Sequence, residues 1–310
     1  MIISASRRTG IPAYYSEWFI KRIKEQYVYV RNPMNIRQIS KVNLSPNVVD
    51  CIVFWSKNPA QILDKLHFFS DYAYYFQFTL NPYDQDLETR LPPKKKIIET
   101  FKKLSDKIGS QKIIWRYDPV LLNTQCSVQY HIDKFNEIAC QLKGHTEKVT
   151  FSFIDFYKKI TENINSNGII DATIEEKNII AVNFSKIAKE NKLLIDTCAE
   201  DIDLSNLGIE HARCIDDRLI AKIIGCILAV EKDKNQRLEC GCAASIDVGT
   251  YNSCPNGCVY CYANYSFSTV KKNSNRHSFS SPLLIGDVNI GDKLYERKVE
   301  SNKIFQKEMF

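Results

Sequence analysis

The sequence has no apolar stretch of signal-peptide length at its start: Met1-Ile2-Ile3-Ser4-Ala5-Ser6 runs directly into Arg7 and Arg8. It also has no run long enough to cross a bilayer. The longest apolar stretch, Leu219 to Val230, is interrupted by Lys222 and falls short of the ~20 residues required. No G-x-G-x-x-G follows the first strand-like segment, which argues against a dinucleotide-binding open sheet. Charge of one sign is scarce: the formal net charge is +6 over 310 residues, and residues 262–310 carry eight Lys or Arg against five Asp or Glu, a weak bias that reads first as a solvated face. These absences lead us to expect a soluble, cytoplasmic protein with no membrane partner. The chain is 44% hydrophobic, enough for a full α/β barrel with an appendage, so disorder is not the expected state.

Cysteine, by contrast, is plentiful. In a reducing compartment eleven cysteines are metal ligands or buried thiols before they are disulfides, and eight of the eleven lie at or after Cys198. Three of them, Cys254, Cys258 and Cys261, fall in a C-x3-C-x2-C spacing in a loop that Pro255 and Gly257 let bend tightly. Soft sulfur donors select iron–sulfur clusters or zinc. Three ligands on a four-iron, four-sulfur cluster leave one iron open, as an open position marks catalytic metal sites.

Four more cysteines form a second candidate set. Cys240 and Cys242 flank a single glycine and can face one metal, Cys198 ends a strand, and Cys214 follows soon after. Together they would complete a second, closed iron–sulfur cluster or a zinc site. The competing reading is that Cys198 and Cys214 are small buried hydrophobes. Cys51, Cys126, Cys140 and Cys226 read as packing residues, and a lone His211 as structural.

Upstream the chain repeats one phrase, a short β-branched or aromatic run followed by an amphipathic helix, which is the βα unit of a parallel sheet. Strands are expected at Ile2–Ser6, Tyr27–Arg31, Cys51–Ser56, Tyr74–Thr79, Lys112–Arg116, Val149–Ile154 and Leu193–Cys198, with a short eighth near Ile209–Cys214. Lys94–Ile108 places Ile97, Ile98, Phe101, Leu104 and Ile108 on one helical face, and Thr173 to Glu176 forms a capping box opening another helix. Seven or eight such units favour a TIM-type (β/α) barrel over residues 1–225. The cysteine-rich segment 226–310 is then expected to fold as a lid over the barrel's C-terminal mouth.

Strand ends point to the chemistry at that mouth. Arg7 and Arg8 follow the first strand, Arg31 the second, Lys57 the third, Arg116 and Asp118 the fifth, Asp155 the sixth and Glu200 the seventh. Prolines nearby fix the turns. As single residues these read equally well as structural ion pairs, but five cations at one mouth suit an anionic ligand, carboxylate or phosphate. The aromatics around Tyr14–Phe19 and Tyr72–Phe78 read as core rather than as base-stacking surfaces.

The C-x3-C-x2-C spacing, with Tyr260 before the last cysteine and Tyr262-Ala263 after it, resembles the cluster motif of radical S-adenosylmethionine (SAM) enzymes, above all the C-x3-C-x-Y-C-Y form of the spore photoproduct lyase group. That resemblance implies a cluster held by Cys254, Cys258 and Cys261 with Tyr260 beside it. Its open iron would chelate the amino and carboxylate groups of SAM, which is cleaved reductively to a 5′-deoxyadenosyl radical. It also implies an electron donor such as flavodoxin or ferredoxin, and among the mouth residues carboxylates to meet the SAM ammonium and arginines to meet its carboxylate. The motif lies late in the chain, so any barrel must precede it, and no Gly-Gly-Glu segment of the usual SAM-binding strand is present.

A wider pattern covers nearly the whole chain: Ser6-Arg7-Arg8-Thr9, Phe54 to Pro59, Trp115 to Pro119, Thr197 to Glu200, and Cys240-Gly241-Cys242 ahead of the Cys254 motif. It resembles the prokaryotic family catalogued as domain of unknown function 1848, which implies a barrel with a C-terminal cysteine cluster and leaves the substrate open among anionic small molecules, peptides and nucleotides. Two function classes follow: a radical SAM-like enzyme, or a non-catalytic protein in which zinc or a closed cluster serves structure or sensing.

Overall fold

Parallel strands need long crossovers, and the alternation of strand-like runs with amphipathic helices supplies them. In the computed structural model, which describes residues 1–304, β1 (Ile2–Ala5) leads through α1 (Ile11–Tyr14) and α2 (Ser16–Glu25) to β2 (Tyr27–Arg31), β3 (Gln38–Asn43) and β4 (Cys51–Ser56). A 3-10 segment, Ala60–Phe69, precedes β5 (Tyr74–Thr79) and α3 (Lys94–Ile108). Next come β6 (Ile113–Val120), α4 (Val128–Leu142), β7 (Lys148–Phe153), α5 (Thr161–Ser166), α6 (Ile174–Glu190), β8 (Leu194–Thr197) and β9 (Glu210–His211). The chain ends with α7 (Asp217–Ile224), β10 (Ile227–Leu228), β11 (Ile246–Asp247), α8 (Phe267–Asn275), β12 (Lys293–Glu296) and β13 (Lys303–Ile304). None of the described helices is long and apolar enough to cross a membrane.

The main sheet has eight strands in the order β11-β1-β4-β5-β6-β7-β8-β9, with every neighbouring pair parallel. One face carries Ile3, Phe54, Phe76, Phe78, Trp115 and Phe151 into a core shared with Phe101, Phe135 and Phe184 of α3, α4 and α6. There Phe135 and Phe184 stack at 3.8 Å. The opposite face packs Ile2, Val53, Tyr75 and Ile114 against Ala212, Cys214 and Ile215, which follow β9. Apolar residues on both faces are what a parallel sheet requires.

That second core exists because the sheet curls. Tyr75 Oη and Gln77 Nε2, in the middle of the sheet, donate to the Cys214 carbonyl at 2.6 and 2.7 Å, beyond the β9 edge. The Ala243 amide, just before β11, donates to the Ile215 carbonyl at 3.0 Å. Among the described residues the edge strands β9 and β11 share no ladder.

Several expected elements stand where the pattern put them. Cys51–Ser56, Tyr74–Thr79 and Lys94–Ile108 have the anticipated bounds, and the Thr173–Glu176 capping box opens α6. Tyr27–Arg31 does not join the main sheet. It pairs antiparallel with β3 in a separate sheet of order β12-β3-β2. Between them lies only the Asn32–Arg37 turn, closed by the Asn32 amide on the Gln38 carbonyl at 2.9 Å, which is enough for a hairpin and too short for a parallel crossover. β11, unanticipated, supplies the strand beside β1 instead.

Candidate functional site

Because all eight strands of the main sheet run the same way, their C-terminal ends emerge together, and those of β1 and β4 to β9 lead to one cavity of about 470 Å³. Its walls include Arg7 and Arg8 after β1, Trp55 to Lys57 at the end of β4, Arg116 and Asp118 in β6, Asp155 after β7, Cys198 after β8 and Cys214 after β9. Cys240, Cys242, Cys254, Cys258, Tyr260 and Cys261 line the same space. All seven cysteines of the two candidate sets therefore meet one cavity.

The Cys254 loop is held from two sides. From the β1 end, Asn264 Oδ1 accepts from the Ser253 and Cys254 amides at 2.8 and 2.7 Å, while its Nδ2 donates to the Arg8 carbonyl at 3.0 Å. Thr9 and Ser253 share a hydroxyl hydrogen bond of 2.7 Å. From the β5 side, the Val259 amide donates to the Leu87 carbonyl at 3.0 Å, the Arg90 amide to the Asn256 carbonyl at 3.2 Å, and Thr89 Oγ1 to the Gly257 carbonyl at 3.1 Å. Gly257 has φ +69°, and a Cβ there would collide with Thr89 Oγ1. Only glycine meets both demands.

Beneath the loop lies a buried ionic network. Lys57 Nζ donates to Glu88 at 2.8 Å and to the Tyr260 hydroxyl at 3.0 Å, and Asn81 Nδ2 reaches the same hydroxyl at 3.1 Å. Tyr260 and Lys94 both donate to Glu88, which is 1% exposed. Burial pushes the Glu88 carboxyl up, but Lys57 and Lys94 outweigh that and hold it below the ordinary carboxylate range.

On the other wall, Cys198 and Cys214 sulfurs stand 3.3 Å apart, and Cys240 and Cys242 line the same cavity. Arg116 Nη1 donates to Cys214 Sγ at 2.8 Å, and the Ile215 amide to Cys242 Sγ at 3.4 Å. Arg116 is also paired with Asp118, whose other oxygen accepts from Ser152. The Arg7 and Arg116 guanidiniums both lie over the Trp55 ring, at 5.6 and 5.2 Å. Among the described residues no three or more His, Cys, Asp or Glu side chains form a site that holds a metal ion as they stand.

Of the strand-end residues singled out by sequence, Arg7, Arg8, Lys57, Arg116, Asp118 and Asp155 line the cavity. Glu200 does not. Its Oε1 accepts from the Phe153 amide at 2.8 Å, and burial lifts its carboxyl to about 7. Arg31 lies on the separate small sheet, bound to both oxygens of Asp292 at 3.0 and 2.9 Å. Asp247, which sequence reasoning missed, anchors the arginine turn: it accepts from Ser6 Oγ at 2.6 Å, the Arg7 amide at 2.8 Å and Arg8 Nε at 3.1 Å. No local signal marks it, since β11 is two residues long. Trp55, Tyr157 and Arg237 were missed too, although Trp55 and Tyr157 adjoin residues that were chosen.

No curated protein and no solved structure matches the chain. A family model does match, over residues 2–263, from β1 to just past the last cysteine of the Cys254 loop. The chain belongs to the family described as domain of unknown function (DUF1848).

Proposed function

We propose that this chain is a radical SAM-like iron–sulfur enzyme whose reaction takes place in the cavity at the C-terminal strand ends. The observation that carries the reading is that Cys254, Cys258 and Cys261 open onto the same cavity as Arg7, Arg8, Lys57, Arg116, Asp118 and Asp155. A site built only for structure has no need of charged groups converging from four strand ends. In this reading the curled sheet is an incompletely laddered TIM-type barrel built from residues 1–225 together with β11, and the Cys254 loop of the following segment brings its three thiols to the mouth. Residues 305–310 of the expected 226–310 lid lie outside the described residues.

The residues present fit a cluster. Three soft donors sit on one loop, with the Asn264 side-chain amide donating to Cys261 Sγ at 3.5 Å. Hydrogen bonds to sulfur are a recognised feature of such sites. A Cβ on Gly10 would stand 3.3 Å from Cys254 Sγ, so glycine keeps the β1 turn close without crowding the thiol. When bound, a reduced four-iron, four-sulfur cluster with one open iron supplies chelation of SAM and the electron for its reductive cleavage.

The chain's own groups bind and shield. Five basic side chains line the cavity (Arg7, Arg8, Lys57, Arg116 and Arg237) against two acidic ones (Asp118 and Asp155), so it favours anionic groups, the SAM carboxylate or an anionic substrate. Asp118 is engaged by Arg116 and Ser152, which leaves Asp155, 40% exposed and bound to Arg237 at 2.8 Å, as the carboxylate free to exchange partners for the SAM ammonium. Tyr157 and Tyr262 pack together on the cavity wall, ring centroids 5.6 Å apart, and limit water there. An oxygen-sensitive cluster and free thiols suit a reducing cytoplasm and a small protein electron donor such as flavodoxin or ferredoxin.

Anaerobic reconstitution with iron and sulfide tests the reading. We expect a reducible four-iron cluster, formation of 5′-deoxyadenosine from SAM, and loss of both in Cys258→Ala. Stoichiometric zinc at the Cys254 loop without acid-labile sulfide would overturn it in favour of a structural or sensing metal site, an alternative that the stitching of the loop to Leu87, Thr89 and Arg90 also accommodates.

A further inference from the structure

We infer that Cys198, Cys214, Cys240 and Cys242 form a second, closed metal centre, a tetrathiolate site with Arg7 and Arg116 as its counter-charges. The inference concerns different residues from the Cys254 loop and stands if the reading of that loop fails.

Proximity is the first argument. The four thiols come from three segments of the chain yet line one cavity, with the Cys198 and Cys214 sulfurs 3.3 Å apart and Cys242 Sγ accepting from the Ile215 amide, beside Cys214, at 3.4 Å. Cys214, Cys240 and Cys242 are 3%, 6% and 2% exposed. Soft donors gathered in this way select zinc or an iron–sulfur cluster.

Charge is the second. Arg116 is 3% exposed and shares its guanidinium between Asp118 and Cys214. Arg7 Nη2 is buried with no acceptor among the described residues, and the ion pair Arg7 does make, to Asp233 through Nη1, is 3.9 Å long. A buried guanidinium needs an anionic neighbour, and a neutral thiol is a weak one. Four adjacent thiolates would repel one another unless a cation lay among them. A dication bound by four thiolates carries roughly two net negative charges, which two arginines balance.

One sulfur pair stands near the spacing a shared metal needs: around a zinc with Zn–S near 2.3 Å, tetrahedral sulfurs lie about 3.8 Å apart, and Cys198 and Cys214 are 3.3 Å apart.

The test uses the full chain carrying Cys254→Ala, Cys258→Ala and Cys261→Ala, reconstituted anaerobically with iron and sulfide or, separately, with zinc. Bound metal is counted, and the eight cysteines that remain of the eleven are mapped by alkylation and mass spectrometry. We expect retained metal and loss of alkylation at Cys198, Cys214, Cys240 and Cys242 together. Iron with acid-labile sulfide identifies a cluster and zinc alone a zinc site, and both uphold the centre. A folded, metal-free variant, or protection at other cysteines, overturns it. Should the triple substitution prevent folding, the same mapping on Cys258→Ala decides, because the four thiols must then be protected in a protein that keeps the rest of its loop.

Discussion

Cys254, Cys258 and Cys261 come from eight consecutive residues, whereas Cys198, Cys214, Cys240 and Cys242 are gathered from a span of 45. The first group sits on a loop shaped by Gly257 and clamped by Asn264 and the Leu87–Arg90 segment. The second sits on strand ends and on the strip of chain that meets the far edge of the sheet through Ala243 and Ile215. Their charged surroundings differ too. Below the first group, Glu88 is enclosed by Lys57, Lys94 and Tyr260. The second shares its cavity with Arg7 and Arg116, of which Arg116 is paired with Asp118. Loop thiols thus depend on local turn geometry, and strand-end thiols depend on the curl of the sheet.

Removing Glu88 attacks the first group's support. Glu88→Leu strands two buried cations, so we expect a loss of about 3–5 kcal/mol in chemical denaturation together with loss of metal from the Cys254 loop, while alkylation of the second group is unchanged. Equal disturbance of both groups would mean the two are not separately supported.

A pH experiment supplies a probe away from both groups. His131 is fully buried, bonded to Tyr117 Oη and the Leu121 carbonyl, and burial lowers its imidazole to about 4. The unfolded chain therefore binds the extra proton between about pH 6.5 and 4, so this contribution to stability is present above that window and is lost as pH falls through it, by on the order of 3 kcal/mol. Urea titrations at pH 7 and pH 4.5 should show the loss in the unsubstituted protein and a smaller one in His131→Asn.

Gly257→Ala sharpens the contrast at a smaller scale. The left-handed backbone and the contact with Thr89 together should cost about 1–2 kcal/mol, and Gly257→Ala with Thr89→Gly should recover the part due to contact. Metal content of the Cys254 loop should fall while the strand-end thiols keep theirs. The smallest effect is expected from Arg31→Ala. Arg31 binds Asp292 on the separate sheet, so SAM cleavage and metal content should match the unsubstituted protein, and a loss of either would reinstate it at the site.

Much of this was readable in advance wherever one segment contains its own instructions. The period-3.6 stripe of Lys94–Ile108, the Thr173 capping box and the β-branched runs at Cys51–Ser56 and Tyr74–Thr79 each specify an element through neighbours within a few residues. The Arg7, Lys57 and Arg116 positions followed from the single rule that strand ends of a parallel sheet share a face. Arg31 misled because a β-branched run does not state which strand it will pair with, and a turn of Asn32, Pro33 and Asn35 decided for the hairpin. Asp247 and Glu88 were illegible because each acts on residues more than thirty positions away.

By itself, then, the sequence determined the βα rhythm, the bend of the cysteine loop and the presence of seven clustered thiols late in the chain, since turn chemistry and periodicity act over short separations. Only the tertiary structure decided that the two thiol groups share one cavity, that Arg7 and Arg116 both meet the Trp55 ring, and that Glu200 turns to the Phe153 amide instead of the cavity. Those outcomes depend on how far the sheet curls, and that is set by long-range contacts such as Tyr75 on the Cys214 carbonyl, which no local pattern encodes.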